Sequence, residues 1–380
     1  MGGANRLLVL DMITSLQIQG YRGFSDFTMS GLARVNLLVG TNNSGKTSVL
    51  EAIHLLASQG DPWALLQVLA RRGERLTASE RTPPRYVELD VSHLFTGHDV
   101  RLGSKFTLTA KNQAPERRLT FVINEVKEHS PAAGVAEQPA VARLGLHVSG
   151  KPSPGFGPMP LSRSFGILVD PVESPRRYRR SRTSELEGDL PAQFITTDSL
   201  DGAELVSLWD KVALTPNEDR VLRALTFLDD HIERIAAQAG AQNYYSSGRG
   251  GFIVKIMGRE HPLPIGSMGD GMWRMLAMAI AIAHCKDGIL LVDEIDTGLH
   301  YSVMTNMWRL IFRAAKDLNV QVFATTHSSD CIKSLAELCY SDPEVATNVS
   351  LQRIERGKQK AIPYTANEIE IAAEHHIEVR

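Results

Sequence analysis

Val35-Asn36-Leu37-Leu38-Val39-Gly40-Thr41-Asn42-Asn43-Ser44-Gly45-Lys46-Thr47-Ser48 is the stretch on which the fold of this chain turns. Val35–Val39 is apolar apart from Asn36, the pattern of a strand buried on both faces. Gly40-x4-Gly45-Lys46-Thr47 then matches the phosphate-loop pattern in full, and Lys46–Ala57 reads as a helix. Strand, glycine-rich loop and helix in that order are the context such a loop requires. Its glycines let backbone N–H groups turn inward around phosphates, where the helix N-terminus adds positive potential. In this pattern Lys46 reaches the β- and γ-phosphates and the Thr47 hydroxyl ligates Mg²⁺. The candidate nucleotide contacts are Gly40, Asn42, Asn43, Ser44, Gly45, Lys46, Thr47 and Ser48. Alone, the loop specifies only ATP or GTP.

Three further segments bear on the same site. Ile289-Leu290-Leu291-Val292-Asp293-Glu294 is an apolar strand ending in two acids, as in a Walker B motif. There Asp293 holds Mg²⁺ and Glu294 polarises the attacking water as general base. Ala324-Thr325-Thr326-His327-Ser328 places a histidine just past another apolar strand. Ligands bind outside the carboxyl ends of parallel strands, so Lys46, Asp293 and His327 are expected to converge, with His327 sensing the γ-phosphate. Ile265-Gly266-Ser267-Met268-Gly269-Asp270-Gly271 is a second glycine-rich turn opening a helix. It reads equally as an anion site or as a capping turn, since Met272, Leu276, Ala279, Ile280 and Ala283 are core positions.

Working outward, 380 residues allow one large α/β domain or two ordinary ones. Hydrophobic content of 43% and charged content of 22% suit a globular protein, and a net charge of −2 gives no global pull toward nucleic acid. Cys285, Cys331 and Cys339 are odd in number and lack CxxC spacing, which disfavours a disulfide framework or zinc ribbon and fits a reducing cytoplasm. The apolar runs are too short to span a membrane, and the N-terminus lacks a signal-peptide pattern. A cytoplasmic location without membrane contact is expected.

Strands are expected at Ile13–Gln19, Tyr86–Val91, Lys105–Ala110, Phe252–Met257 and Val320–Thr325, with a turn at Tyr21–Phe24. Helices are expected at Trp63–Arg71, Gly271–His284, Ser302–Asp317 and Ser329–Leu338. Alternating strands and helices imply a mostly parallel sheet covered on both faces. Residues 128–190 read as irregular, because prolines interrupt every candidate element. From Asp201 to Gly240 the pattern turns helical, with Val221, Leu225 and Leu228 followed by Ile232 and Ile235. No internal repeat or sustained heptad is present.

Together these segments resemble the ATPase domain of the OLD-like (overcoming lysogenization defect) family, relatives of RecF and SMC heads. The carrying residues are Gln19–Phe24, Gly40–Ile53, Gly266–Leu276, Glu294-Ile295-Asp296-Thr297-Gly298-Leu299-His300 and Ala324–Ser328. The resemblance implies an α/β P-loop NTPase fold of ABC type, with a mostly parallel sheet flanked by helices and a β-rich N-terminal lobe. It also implies an ATP- and Mg²⁺-dependent ATPase that forms homodimers or higher homo-oligomers around shared ATP sites. Ser267, Gly269 and Gly271 would then contact the γ-phosphate bound to the opposite subunit, where transporters carry LSGGQ. Asp296 would lie along that interface, and Arg22 near the base or phosphates. No Q-loop glutamine is evident. The expected organisation is an N-terminal ATPase lobe over 1–125, an insertion over 126–240 (a proline-rich loop, then a helical segment), and a C-terminal ATPase lobe over 241–380.

Two absences refine this. Gly40 and Ser267 are 227 residues apart, too few for the long coiled coil of an SMC protein. After His327 53 residues follow, too few for the Toprim nuclease domain of OLD nucleases. The resemblance therefore implies an ATPase working with a separately encoded, nuclease-like effector in bacterial anti-phage defence, as the ATPase subunit of the PARIS system does. The alternative is a RecF-like, ATP-dependent DNA-binding repair or recombination factor; a transporter subunit is disfavoured by the signature loop and the insertion. The basic run Arg176–Arg182 offers a DNA or partner contact, or simply a solvated insertion. Gly248–Gly251 suits a hairpin turn better than a second phosphate loop. Thr365-Ala366-Asn367-Glu368 has capping-box spacing for a last helix.

Overall fold

A computed structural model describes residues 12–76, 86–111, 116–126, 143–151, 156–162, 164–170, 190–197, 200, 202–226, 229–238, 251–365, 367–369 and 371. Two six-stranded sheets dominate. The first begins with β1 (Ser15–Tyr21) and β2 (Phe24–Ser30), joined by the tight turn at Arg22-Gly23. Its order is β2–β1–β5–β6–β7–β8, with β5 at Lys105–Lys111, β6 at Arg117–Val126, β7 at Arg143–Lys151 and β8 at Met159–Pro160. Every pairing in it is antiparallel.

The second sheet runs β10 (Ala192–Ile195), β14 (Ile289–Val292), β15 (Gln321–Thr325), β3 (Val35–Val39), β16 (Val349–Arg353) and β17 (Ile362–Tyr364). It is parallel up to the last, antiparallel strand. Two small antiparallel sheets remain: β4 (Val87–Asp90) with β9 (Gly166–Val169), and β11 (Ile232–Ala237) with β12 (Phe252–Ile256) and β13 (Leu263–Pro264). The expectation of a mostly parallel fold is corrected accordingly. Parallel pairing is confined to the sheet whose strands are linked through helices, whereas turns as short as Arg22-Gly23 force antiparallel neighbours.

The apolar runs of the parallel sheet have a direct cause. Val35, Leu37 and Val39 point into one core and Leu38 into the other. Leu290 and Val292 oppose Ile289 and Leu291 in the same way, as Val322 and Ala324 oppose Phe323. On one face lie α1 (Lys46–Ala57), α2 (Pro62–Arg71) and the antiparallel sheet. On the other lie α3 (Gly202–Trp209), α4 (Pro216–Thr226), α5 (Asp270–His284), α6 (Tyr301–Asp317) and α7 (Ser329–Ser341).

Two expectations fail locally. Ile232 and Ile235 are helically spaced but lie in β11. A register shift between Ile232 and Arg234 inserts an extra residue, so two inward residues of a strand fall three apart instead of two. The stretch read as irregular over 128–190 contributes β7, β8 and β9. β7 pairs along nearly the whole of the long β6, and Pro160 is tolerated in a two-residue strand at the sheet edge. The capping box forms: the Thr365 N–H donates to Glu368 Oε2 at 2.8 Å, and the Glu368 N–H to Thr365 Oγ1 at 3.3 Å. Arg176–Arg182 and Gly248–Gly250 lie outside the described residues.

Candidate functional site

β3 ends at Val39, and the chain turns at Gly40 with φ 144°. A Cβ there would stand 2.2 Å from the Ile354 carbonyl oxygen, so only glycine fits. Gly45, φ 103°, begins α1, and a Cβ on it would strike the Phe24 ring at 2.4 Å. Asn43 between them also has positive φ, 61°, a conformation Asn tolerates. The loop curls around Lys46, whose Nζ donates to the carbonyls of Gly40 at 2.8 Å and Thr41 at 3.0 Å. Lys46 is buried. Burial lowers its pKa to about 8, opposed by the charges of Asp293 and Glu294. Ser44 Oγ is buried and has no hydrogen-bond partner among the described residues. An orphaned hydroxyl in a loop with a buried cation suits the oxygens of a phosphate.

β15 lies between β14 and β3, parallel to both, so the carboxyl ends of all three open at the same edge. Thr47 Oγ1 donates to Asp293 Oδ2 at 2.9 Å, and Thr325 Oγ1 to Asp293 Oδ1 at 2.6 Å. A carboxylate beside a hydroxyl at the phosphate loop is the hard-oxygen donor set that Mg²⁺ takes. Glu294 follows with φ 47°, a strained value for a non-glycine residue, and its N–H donates to Thr325 Oγ1 at 2.8 Å. Its carboxylate accepts from Thr297 Oγ1 at 3.4 Å and faces His327 Nε2 at 3.8 Å. Burial and then the charge of Lys46 hold the His327 pKa below the usual imidazole value, against Glu294, Asp296 and Asp293. Lys46, Thr47, Asp293, Glu294 and His327 are therefore gathered at one edge.

The remaining candidates sit apart or are otherwise engaged. Ser267 and Gly269 are exposed at the start of α5, where Ser267 Oγ donates to the Pro264 carbonyl at 2.7 Å. A Cβ on Gly271 would stand 3.3 Å from the Gly298 carbonyl oxygen, which places this turn against the segment after Asp296. Asp296 itself accepts a short hydrogen bond from Thr326 Oγ1. Arg22, expected near the base or phosphates, is buried between Glu51 (Nε to Oε2, 2.8 Å) and Glu74 (Nη1 to Oε1, 2.5 Å). Glu51 also holds Arg72 at 2.6 Å, and Arg72 Nη2 donates to Ser48 Oγ at 3.0 Å. This ion network ties Arg22 to Glu51 and Glu74 and reaches Ser48, directly after Thr47, through Arg72.

Sequence reasoning missed Thr325 and Arg274. Arg274 is buried on α5 and donates to the carbonyls of Thr196 at 2.6 Å, Asp293 at 2.8 Å and Glu294 at 3.0 Å. The available signal was its charge, alone within the apolar run Met272–Ala283.

Comparison with known proteins adds the following. Residues 12–117 and 207–332 match the family described as AAA ATPase domain. Over 385 residues the chain is 23% identical to a Helicobacter pylori protein named ATP/GTP phosphatase, spanning 93% of this chain and 95% of that one. A segment of 46 residues is 50% identical to the DNA replication and repair protein RecF of Acinetobacter baylyi, covering 12% of this chain and 13% of RecF. Among solved structures, an SMC head crystallised with the C-terminal winged-helix domain of ScpA shares the fold. Its TM-score is 0.51 at 13% identity, covering 93% of this chain and 97% of that one.

Proposed function

The chain belongs to the AAA ATPase domain family and is an ATPase, and from that premise we propose that Lys46, Thr47, Asp293, Glu294 and His327 form half of an ATP site completed by a second copy of the chain. The supporting observation is the bond from Thr47 Oγ1 to Asp293, which joins the phosphate loop to the acidic end of β14. In this reading the loop N–H groups and Lys46 hold the β- and γ-phosphates. Thr47 and Asp293 hold Mg²⁺, which neutralises charge on the phosphates when bound. Glu294 takes a proton from water as the water oxygen bonds to the γ-phosphorus. The bond from that phosphorus to the β–γ bridging oxygen breaks, and ADP leaves. His327 senses the γ-phosphate. Ser267, Gly269 and Gly271 of a second copy face the same phosphate, and Asp296 lies along the interface between the copies.

The resemblance to OLD-like ATPases carries the reading further, to a cytoplasmic homo-oligomer that holds a separately encoded, nuclease-like effector in anti-phage defence. Among the described residues no helix is long and apolar enough to cross a membrane. ATP closes the copies on one another and hydrolysis reopens them, holding or releasing the partner. Glu294→Gln tests the base directly: phosphate release should stop while ATP stays bound. Turnover at the wild-type rate would remove Glu294 from this role. Co-expression with the product of the neighbouring gene tests the effector: a large complex with a nuclease supports it, and a chain that purifies alone counts against it.

A further inference from the structure

The general base sits on an unusual piece of backbone. Glu294 has φ 47°, outside the regions that side chains with a Cβ prefer, and such strain persists only where neighbours over-determine it. Two groups do so. Thr325 Oγ1 takes the Glu294 N–H at 2.8 Å. Arg274 Nη2 donates to the carbonyls of Asp293 and Glu294, one in each of the two peptides flanking the Glu294 Cα, at 2.8 and 3.0 Å, while its Nη1 is anchored on the Thr196 carbonyl at 2.6 Å. The guanidinium fork is planar, and only 3% of the residue is exposed. Its three bonds to carbonyl oxygens make it a geometric clamp on the backbone.

The position of Arg274 on α5 gives the clamp a purpose. That helix begins at Asp270, just after Ser267 and Gly269, and Arg274 stands one turn along it. A displacement of the exposed helix start is carried by a rigid, buried helix to the peptide bearing Glu294. We propose that Arg274 is a positioning residue that couples the Ser267–Gly271 turn to the carboxylate of Glu294. Contact of a second copy with that turn thereby aligns the base in the site of the same chain. This rests on the shared-site reading above and adds a specific route through it.

The test uses the full chain and four variants, all assayed well below their melting temperatures. Arg274→Met removes every donor at similar volume, and Arg274→Lys keeps the charge but not the fork. For Arg274→Met, kcat should fall about 10- to 100-fold with ATP affinity held within about twofold, since misplacing a reacting group by an ångström costs about that much. Arg274→Lys should recover part of the loss, and it alone decides the matter if the Met variant does not fold. Glu294→Gln is the reference, and the Arg274→Met/Glu294→Gln double variant should be no slower than Glu294→Gln alone. If Glu294→Gln is inactive while either folded Arg274 variant keeps the wild-type kcat, the coupling role is wrong and the site reading stands. If Glu294→Gln stays active, the site reading itself fails.

Discussion

Thr47 Oγ1 and Asp293 Oδ2 are 2.9 Å apart across 246 residues of sequence. The contact exists because β3 and β14 flank β15 in one parallel sheet, so the loop and helix that follow β3 meet the end of β14 at one edge. Two oxygen ligands, one from the first turn of α1 and one from the end of β14, hold a small cation only if both are present. Asp293→Asn should lower ATP turnover by about 100-fold and shift its Mg²⁺ requirement upward. Phosphate release titrated with Mg²⁺ measures both, and an unchanged titration curve rules out Asp293 as a ligand.

Lys46 predicts a pH dependence. Burial lowers its pKa to about 8, so the ligand-free loop loses its cation as pH rises through that value. Binding phosphate restores the charge, and binding then takes up a proton. ATP affinity should be flat from pH 6.5 to 7.5 and weaken above pH 8, by up to about tenfold per unit. The sign for stability is opposite: holding the charge buried destabilises the fold below about pH 8, and this relaxes as pH climbs toward the unfolded value. Lys46→Arg, ionised throughout, should flatten the affinity profile. Equal wild-type affinity at pH 7 and pH 9.5 contradicts this.

His327 should act neutral. Burial and Lys46 keep its pKa under the ordinary imidazole value, so acidification through that range, not alkalinisation, protonates it. His327→Ala should lower kcat about 100-fold with little change in KM. The wild-type acid limb should lie below about pH 6.5, the unperturbed imidazole pKa; a His327-dependent limb above pH 7 disproves the assignment.

How much of this was legible in the sequence depends on whether the signal was local. β3, α1 and β14 were readable to the residue, because burial on both sides, loop chemistry and apolar runs are local features. The strand at Ile232–Ala237 was not, since its bulge depends on pairing with β12. β7 was hidden because its partner β6, not its own proline-broken surroundings, stabilises it. The ion pairs of Arg22 were not legible for a similar reason: Glu51 and Glu74, which hold it, are 29 and 52 residues away in sequence. Arg274 went unseen because its partners are carbonyl oxygens, which have no signature in the side-chain code.

Glu51 predicts a stability effect separate from chemistry. It is buried between the guanidinium groups of Arg22 and Arg72, at 2.8 and 2.6 Å. Glu51→Gln leaves Arg22 buried with one fewer counter-charge and should destabilise the fold by about 3 kcal/mol. Urea denaturation measures it; a change under about 0.5 kcal/mol, typical of a surface position, contradicts the burial argument.

The central claim is that the ATP site is shared between copies, and the mass of the Glu294→Gln chain in solution tests it most directly. With ATP and Mg²⁺ the trapped chain should at least double its mass by light scattering, and an added Gly269→Arg, which blocks the exposed turn, should return it to the mass of the nucleotide-free protein. A Glu294→Gln chain that binds ATP and keeps its nucleotide-free mass would contradict the account.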